Sequence, residues 1–129
     1  MTKRTDDYDE IKRVMQLYID GFNDHDIDKF KEAFDENAWI YYIDAEGKLI
    51  KYLIADRLEA WASPDSRIEA RGPVVGRIIS VTQVGDAASV QISFDRALHK
   101  SEGWIDFHNL IRVSGVWKIT NKTATHSSR

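Results

Sequence analysis

Asp106 and His108 are the side chains of this sequence most suited to moving a proton. They stand two apart in a run, Trp104–Val113, that alternates like a β-strand, so both point to one face together with Trp104. A carboxylate beside an imidazole is a minimal acid/base pair: one group holds charge, the other exchanges a proton near neutral pH. Ser114-Gly115 reads as a two-residue turn between this run and Val116–Lys122. If Val113 pairs with Val116, Arg112 faces Trp117, Leu110 faces Ile119, His108 faces Asn121 and Asp106 faces Thr123. That face is apolar near the turn and polar further along, where Asp106, His108 and Asn121 lie beside Trp104. It reads as the floor of a pocket.

The elements that must position these groups are legible in the spacing. Val74–Val84 and Ala87–Leu98 are long strands around the turn Gly85-Asp86. Pairing Val84 with Ala87 puts Ile79, Val81, Ala88, Val90, Ile92 and Phe94 on one face, and Ser80, Thr82, Ser89, Gln91 and Ser93 on the other. With His99–Gly103 as a loop, Leu98 would pair with Trp104, Arg96 with Asp106 and Phe94 with His108. Arg96 would then keep the Asp106 carboxylate ionised. Asp6–Asn23 has helical spacing, with Ile11, Val14, Tyr18 and Phe22 on one stripe, so Tyr18 brings a hydroxyl over the sheet. Asp26 is the expected N-cap of a second helix that buries Ile27, Phe30 and Phe34. Ala38–Ile43 and Leu49–Leu53 read as strands, and Ala55–Ala62 as a short helix with Leu58 and Trp61 inward. Trp39 or Tyr41, with Trp61 and Trp104, supplies flat apolar walls for a ligand. Thr125–Arg129 reads as a frayed polar tail.

The same residues also admit plainer roles. Arg96–Asp106 serves equally as a cross-strand ion pair, His108 as a hydrogen-bonded buried histidine, Tyr18 as core, and Asn121 as a tie at the sheet end. Other chemistries fail on composition. There are no cysteines, which removes disulfides and thiolate ligands. The four histidines lack metal-ligand spacing, and no glycine-rich phosphate loop or Gly-x-Ser-x-Gly elbow occurs, so no metal and no cofactor is expected. A formal net charge of −3 gives no field for nucleic acid. The apolar runs are too short to span a bilayer, the first ten residues lack an apolar signal core, and a cytoplasmic location follows as the default. The 129 residues suit one domain spanning 1–129, 43% hydrophobic and 30% charged.

The reverse face of the last hairpin carries Ile105, Phe107, Ile111, Val113 and Val116 among Asn109, Lys118, Thr120 and Lys122. It is too apolar to stay wet, and a second copy packed sheet to sheet is the economical cover. The alternative is that the Ser66–Pro73 connection or the chain end folds over it.

The order of these elements resembles the nuclear transport factor 2-like superfamily, and most of all its lumazine-binding-like and SnoaL-like branches. The residues that carry the resemblance are Tyr18-Ile19-Asp20-Gly21, His25-Asp26-Ile27 with Phe30 and Phe34, Gly85-Asp86-Ala87-Ala88, and Trp104-Ile105-Asp106-Phe107 through Gly115-Val116-Trp117-Lys118-Ile119 to Asn121-Lys122. The resemblance implies an α+β, cystatin-like cone: three helices of the N-terminal half on a strongly curved, mainly antiparallel sheet that encloses a pocket and dimerises through its outer face. It implies no single activity. Ketosteroid isomerases of that superfamily pair a first-helix tyrosine, matched by Tyr18, with a first-strand carboxylate, but the matching place here falls near Tyr41-Tyr42. An isomerase of that type is therefore disfavoured. The expectation is a small-molecule-binding protein, of cofactor-independent cyclase, isomerase or dehydratase type if it is an enzyme, acting on a small apolar or aromatic compound. In it Asp106 is base or orienter, His108 proton shuttle and Tyr18 oxyanion donor, with Arg96, Trp104, Trp39, Tyr41, Trp61, Phe94 and Asn121 around the ligand. The alternative class is a non-catalytic protein–protein adaptor or dimeric scaffold.

Overall fold

The computed structural model describes residues 4–63, 73–96 and 103–126. Its elements are α1 (Arg4–Asn23), α2 (Ile27–Ala33), β1 (Phe34–Ile43), β2 (Leu49–Leu53), a 3₁₀ turn (Ile54–Asp56), α3 (Leu58–Ala62), β3 (Val74–Val84), β4 (Ala87–Arg96), β5 (Gly103–Val113) and β6 (Val116–His126). Among the described residues the architecture is α+β: three helices on a six-stranded mixed sheet of order β2-β1-β6-β5-β4-β3, which does not close. β1 runs parallel to β6, and every other neighbouring pair is antiparallel.

The expected α1 stripe, Ile11, Val14, Tyr18 and Phe22, is buried, and Met15 and Ile19 are buried beside it. The helix ends where Asp24 N–H donates back to the Asp20 carbonyl and His25 takes a left-handed φ of 53°. Asp26 then caps α2, its carboxylate accepting from Asp28 N–H at 3.0 Å. Gly21 lets the two helices close: a Cβ there would stand 2.7 Å from Phe30 Cε1. Edge-to-face contacts of Phe22 with Phe30 (centroids 4.9 Å apart) and Tyr18 with Phe34 (5.6 Å) continue this core onto the sheet. The third helix is shorter than the expected Ala55–Ala62, because a 3₁₀ turn and Arg57, which is not helical, precede it.

Bulges in β3 and β6 decide which side chains face the helices, and the β4–β5 register decides which of them meet across the strands. Val84 pairs with Ala87 as expected, but Ile79 is a bulge: Ile78 pairs with Ile92 and Ser80 with Gln91. The extra residue inverts the alternation, so Ile78 faces inward and Ile79 is 51% exposed, correcting its place on the inner face. Between β4 and β5, Phe94 pairs with Trp104, Ile92 with Asp106 and Val90 with His108. The two strands therefore slide by an even step against the expected register, which keeps the faces and changes the partners. The expected Leu98–Trp104 pair gives way to Phe94–Trp104; Leu98 and most of the His99–Gly103 loop lie outside the described residues, as does Ser66–Pro73 except Pro73. Between β5 and β6 the turn register holds through Arg112–Trp117 and Leu110–Ile119; Thr120 then bulges, and Asn109 pairs with Asn121. The end of β6 is no frayed tail as far as His126, since Thr125 pairs with Ile105 and His126 with Trp104.

Candidate functional site

The Thr120 bulge builds the site. Beyond it every β6 side chain changes face, so Lys122 comes opposite His108 and Ala124 opposite Asp106, both on the helix-covered side. Asn121, expected beside His108, lies on the outer face against Asn109, whose amide donates to its side-chain oxygen at 3.4 Å. β6 is flanked by β1 and β5, and Ile40 holds the other edge of Lys122. A lysine is thereby carried into the interior: Arg96, Asp106, His108 and Lys122 are the buried charged or polar residues among those described.

Asp106 is 1% exposed and is the centre of this group. Tyr18 Oη donates to its Oδ2 at 2.8 Å. His108 Nε2 lies 3.5 Å from the same oxygen, at the outer limit of a hydrogen bond, and Lys122 Nζ lies 3.9 Å from it. The expected Arg96–Asp106 pairing is not formed, because the β4–β5 register puts Ile92 opposite Asp106; the cation beside the carboxylate is Lys122. Arg96 instead lies over the Trp104 ring, 5.0 Å from its centroid.

The electrostatics follow from burial and these contacts. Burial alone would raise the Asp106 pKa, but the Lys122 charge, His108 and the Tyr18 hydrogen bond outweigh it and hold the carboxyl below its ordinary range. His108 is pushed down by burial, which Asp106 only partly offsets, so the ring is neutral near pH 7. Tyr18 is pushed far up by burial and then by Asp106, which keeps its proton on the oxygen as a donor. Lys122 is pushed down by burial against the pull of Asp106.

A cavity of about 470 Å³ opens over this cluster. Asp106 and Lys122 reach it; Phe22, Trp61, Phe94 and Trp104 form apolar walls, with Tyr42, Tyr52, Arg57, Arg96 and His126 around them. Arg57 lies 4.4 Å from the Tyr52 ring centroid, and burial pushes the Tyr52 hydroxyl up to about 12. Of the residues singled out from sequence, Asp106, Arg96, Trp104, Trp61 and Phe94 meet at this cavity. Tyr18 and His108 do not line it; both are buried behind Asp106, their rings 4.9 Å apart edge to face. Trp39 and Tyr41 fall on the outer face, since Ala38 and Ile40 take the inner positions of β1, and Trp39 is 38% exposed under Lys51. Lys122, Tyr42, Tyr52 and Arg57 were missed. Tyr42 was available from the alternation of β1 with Ile40 inward; Lys122 carried no sequence signal, because nothing in the sequence announced the bulge at Thr120. Among the described residues no three His, Asp or Glu side chains converge as metal ligands, and no helix is long and apolar enough to cross a membrane.

Known structures share this fold. An NTF2-like protein of unknown function from Shewanella baltica OS155 is 25% identical with a TM-score of 0.79, each chain covered over 100% of its length. Another, from Silicibacter pomeroyi DSS-3, is 19% identical with a TM-score of 0.80, covering 97% of this chain and 99% of its own. A domain of unknown function with a cystatin-like fold from Nostoc punctiforme is 18% identical with a TM-score of 0.75, covering 99% of this chain and 81% of its own. No curated protein matches the chain. The family model described as "Putative lumazine-binding" matches residues 6–124, and the chain belongs to that family, within the nuclear transport factor 2-like superfamily.

Proposed function

We propose that this protein binds a small, flat, mainly apolar molecule in the cavity and acts on it by proton transfer, with Asp106 as the acceptor. The observation that carries this reading is a buried carboxylate and a buried ammonium, 3.9 Å apart, on the wall of one aromatic-lined cavity. Burying two charges is costly, and a site that needs both is a good reason to keep them. The carboxylate orients a ligand N–H or O–H or takes a proton from it, and the Lys122 ammonium stabilises negative charge that develops on a neighbouring ligand oxygen. Tyr18 and His108 act as positioning residues: the Tyr18 hydrogen is already given to Asp106, so the oxyanion role first expected of it passes to Lys122. The volume suits a one- or two-ring compound, and the family's description names a two-ring heteroaromatic, lumazine.

Titration with lumazine, followed by tryptophan fluorescence, tests the reading directly, because Trp61 and Trp104 line the cavity. Native mass spectrometry of protein taken straight from its host extends the test to ligands of other structure. Saturable quenching or a retained small molecule, lost in Asp106→Asn, is the expected result. A protein that carries no small molecule, and whose Asp106→Asn variant equals the parent in every assay, would favour the adaptor class.

A second copy remains our proposal for the outer face. Phe107 (48% exposed), Ile111, Val113 and Val116 lie uncovered there among the described residues, next to Ile105.

A further inference from the structure

We propose that Lys122 is a covalent capture residue: its amine condenses with an aldehyde or ketone held in the cavity, with Asp106 shuttling the protons. This rests on the reading of the cavity as a ligand site. Three features of the geometry carry it. Lys122 sits in β6 between Ile40 of β1 and His108 of β5, so its backbone is held on both sides. Its Nζ is steered by two ring faces, 4.7 Å from the Trp61 centroid and 5.3 Å from that of Tyr18. The nitrogen makes no hydrogen bond among the described residues, and its single carboxylate neighbour stands at 3.9 Å, too far to consume a proton donor. An amine so placed borders the cavity with its N–H groups not hydrogen-bonded to any described residue. Burial also leaves it more readily deprotonated than a surface lysine.

The chemistry balances with these two groups. Across the 3.9 Å gap one water relays a proton from the ammonium to Asp106, and the freed nitrogen pair attacks the carbonyl carbon. The new C–N bond forms as the C=O π pair moves to oxygen, which receives the proton from Asp106. Asp106 then removes a second N–H proton from the carbinolamine and delivers it to the hydroxyl, which leaves as water while the nitrogen pair closes the C=N bond. Ammonium and carbonyl become iminium and water, with charge unchanged and no oxidant or reductant required.

The test uses 6-methoxy-2-naphthaldehyde with sodium cyanoborohydride at neutral pH, read by intact mass and peptide mapping. Lys122 is expected to be alkylated roughly tenfold faster than any of the other eight lysines, and Lys122→Arg, which keeps the charge, is expected to lose that fast phase. Labelling spread over the surface lysines, or none at Lys122, overturns the inference; the wild-type map decides this even if the variant does not fold. The corresponding alcohol, 6-methoxy-2-naphthalenemethanol, cannot condense. If it quenches tryptophan saturably while Lys122 stays unlabelled, covalent capture fails and the binding cavity stands. If it does not bind and Lys122 is unlabelled, both readings fail.

Discussion

Tyr18→Phe removes one oxygen from the buried cluster and little else. The ring remains among Phe22, Phe34 and Phe94, at centroid distances of 5.4, 5.6 and 5.3 Å. What is lost is a 2.8 Å hydrogen bond to an ionised, buried carboxylate. Bonds to charged groups contribute about 1.5–3 kcal/mol, and the remaining neighbours of Oδ2 at 3.5 and 3.9 Å are too distant to replace it, so a cost of about 2 kcal/mol is expected at pH 7. With a urea m-value of about 2 kcal/mol/M, the midpoint falls by about 1 M. The pH dependence has a definite sign. The Asp106 pKa is depressed in the folded state, so its stabilisation is complete above the unfolded carboxylate value, about 3.9, and is lost as pH falls through the folded value. Tyr18 is one of the groups that depress it, so the variant retains a smaller share of this term. The gap between parent and variant should therefore narrow to about 1 kcal/mol, the worth of a neutral hydrogen bond, as Asp106 becomes protonated. Urea unfolding followed by fluorescence, from pH 7 down through the acid titration of Asp106 in the folded state, measures both. A cost below about 0.5 kcal/mol at pH 7, or a gap that does not change with pH, would refute the claim that Tyr18 holds an ionised Asp106.

Lys122→Met leaves Asp106 buried without its nearest cation and should cost about 3–5 kcal/mol in chemical unfolding. Adding Asp106→Asn to it should recover part of that loss, and strictly additive costs would argue against the pair. Gly21→Ala forces a methyl to 2.7 Å from the Phe30 ring, a rigid neighbour, and should lower stability by about 1–3 kcal/mol in thermal melts. Phe107→Lys combined with Ile111→Lys puts charge on the uncovered outer face; sedimentation should change from a two-chain to a one-chain species, and an unchanged mass would remove that face as the contact.

Much of this protein is determined by local pattern alone. The 3.6-residue stripe of α1 and the alternation of β3 to β6 each bury one face, so the order of elements and the inward direction of Asp106, His108, Phe94 and Trp104 follow from solvent exclusion. Tyr18 follows too, because its stripe must lie on that apolar face. Tertiary structure decided the rest. One extra residue at Thr120 exchanges the faces of Asn121 and Lys122, and another at Ile79 inverts β3, since a period of two has no tolerance for a single insertion. The slide of β5 along β4 keeps every face yet replaces Arg96 by Ile92 opposite Asp106, because pairing depends on where the chain between the strands re-enters the sheet. The cation that holds the carboxylate therefore comes from β6, on its other side, and the amine at the cavity exists only once three neighbouring strands are in register.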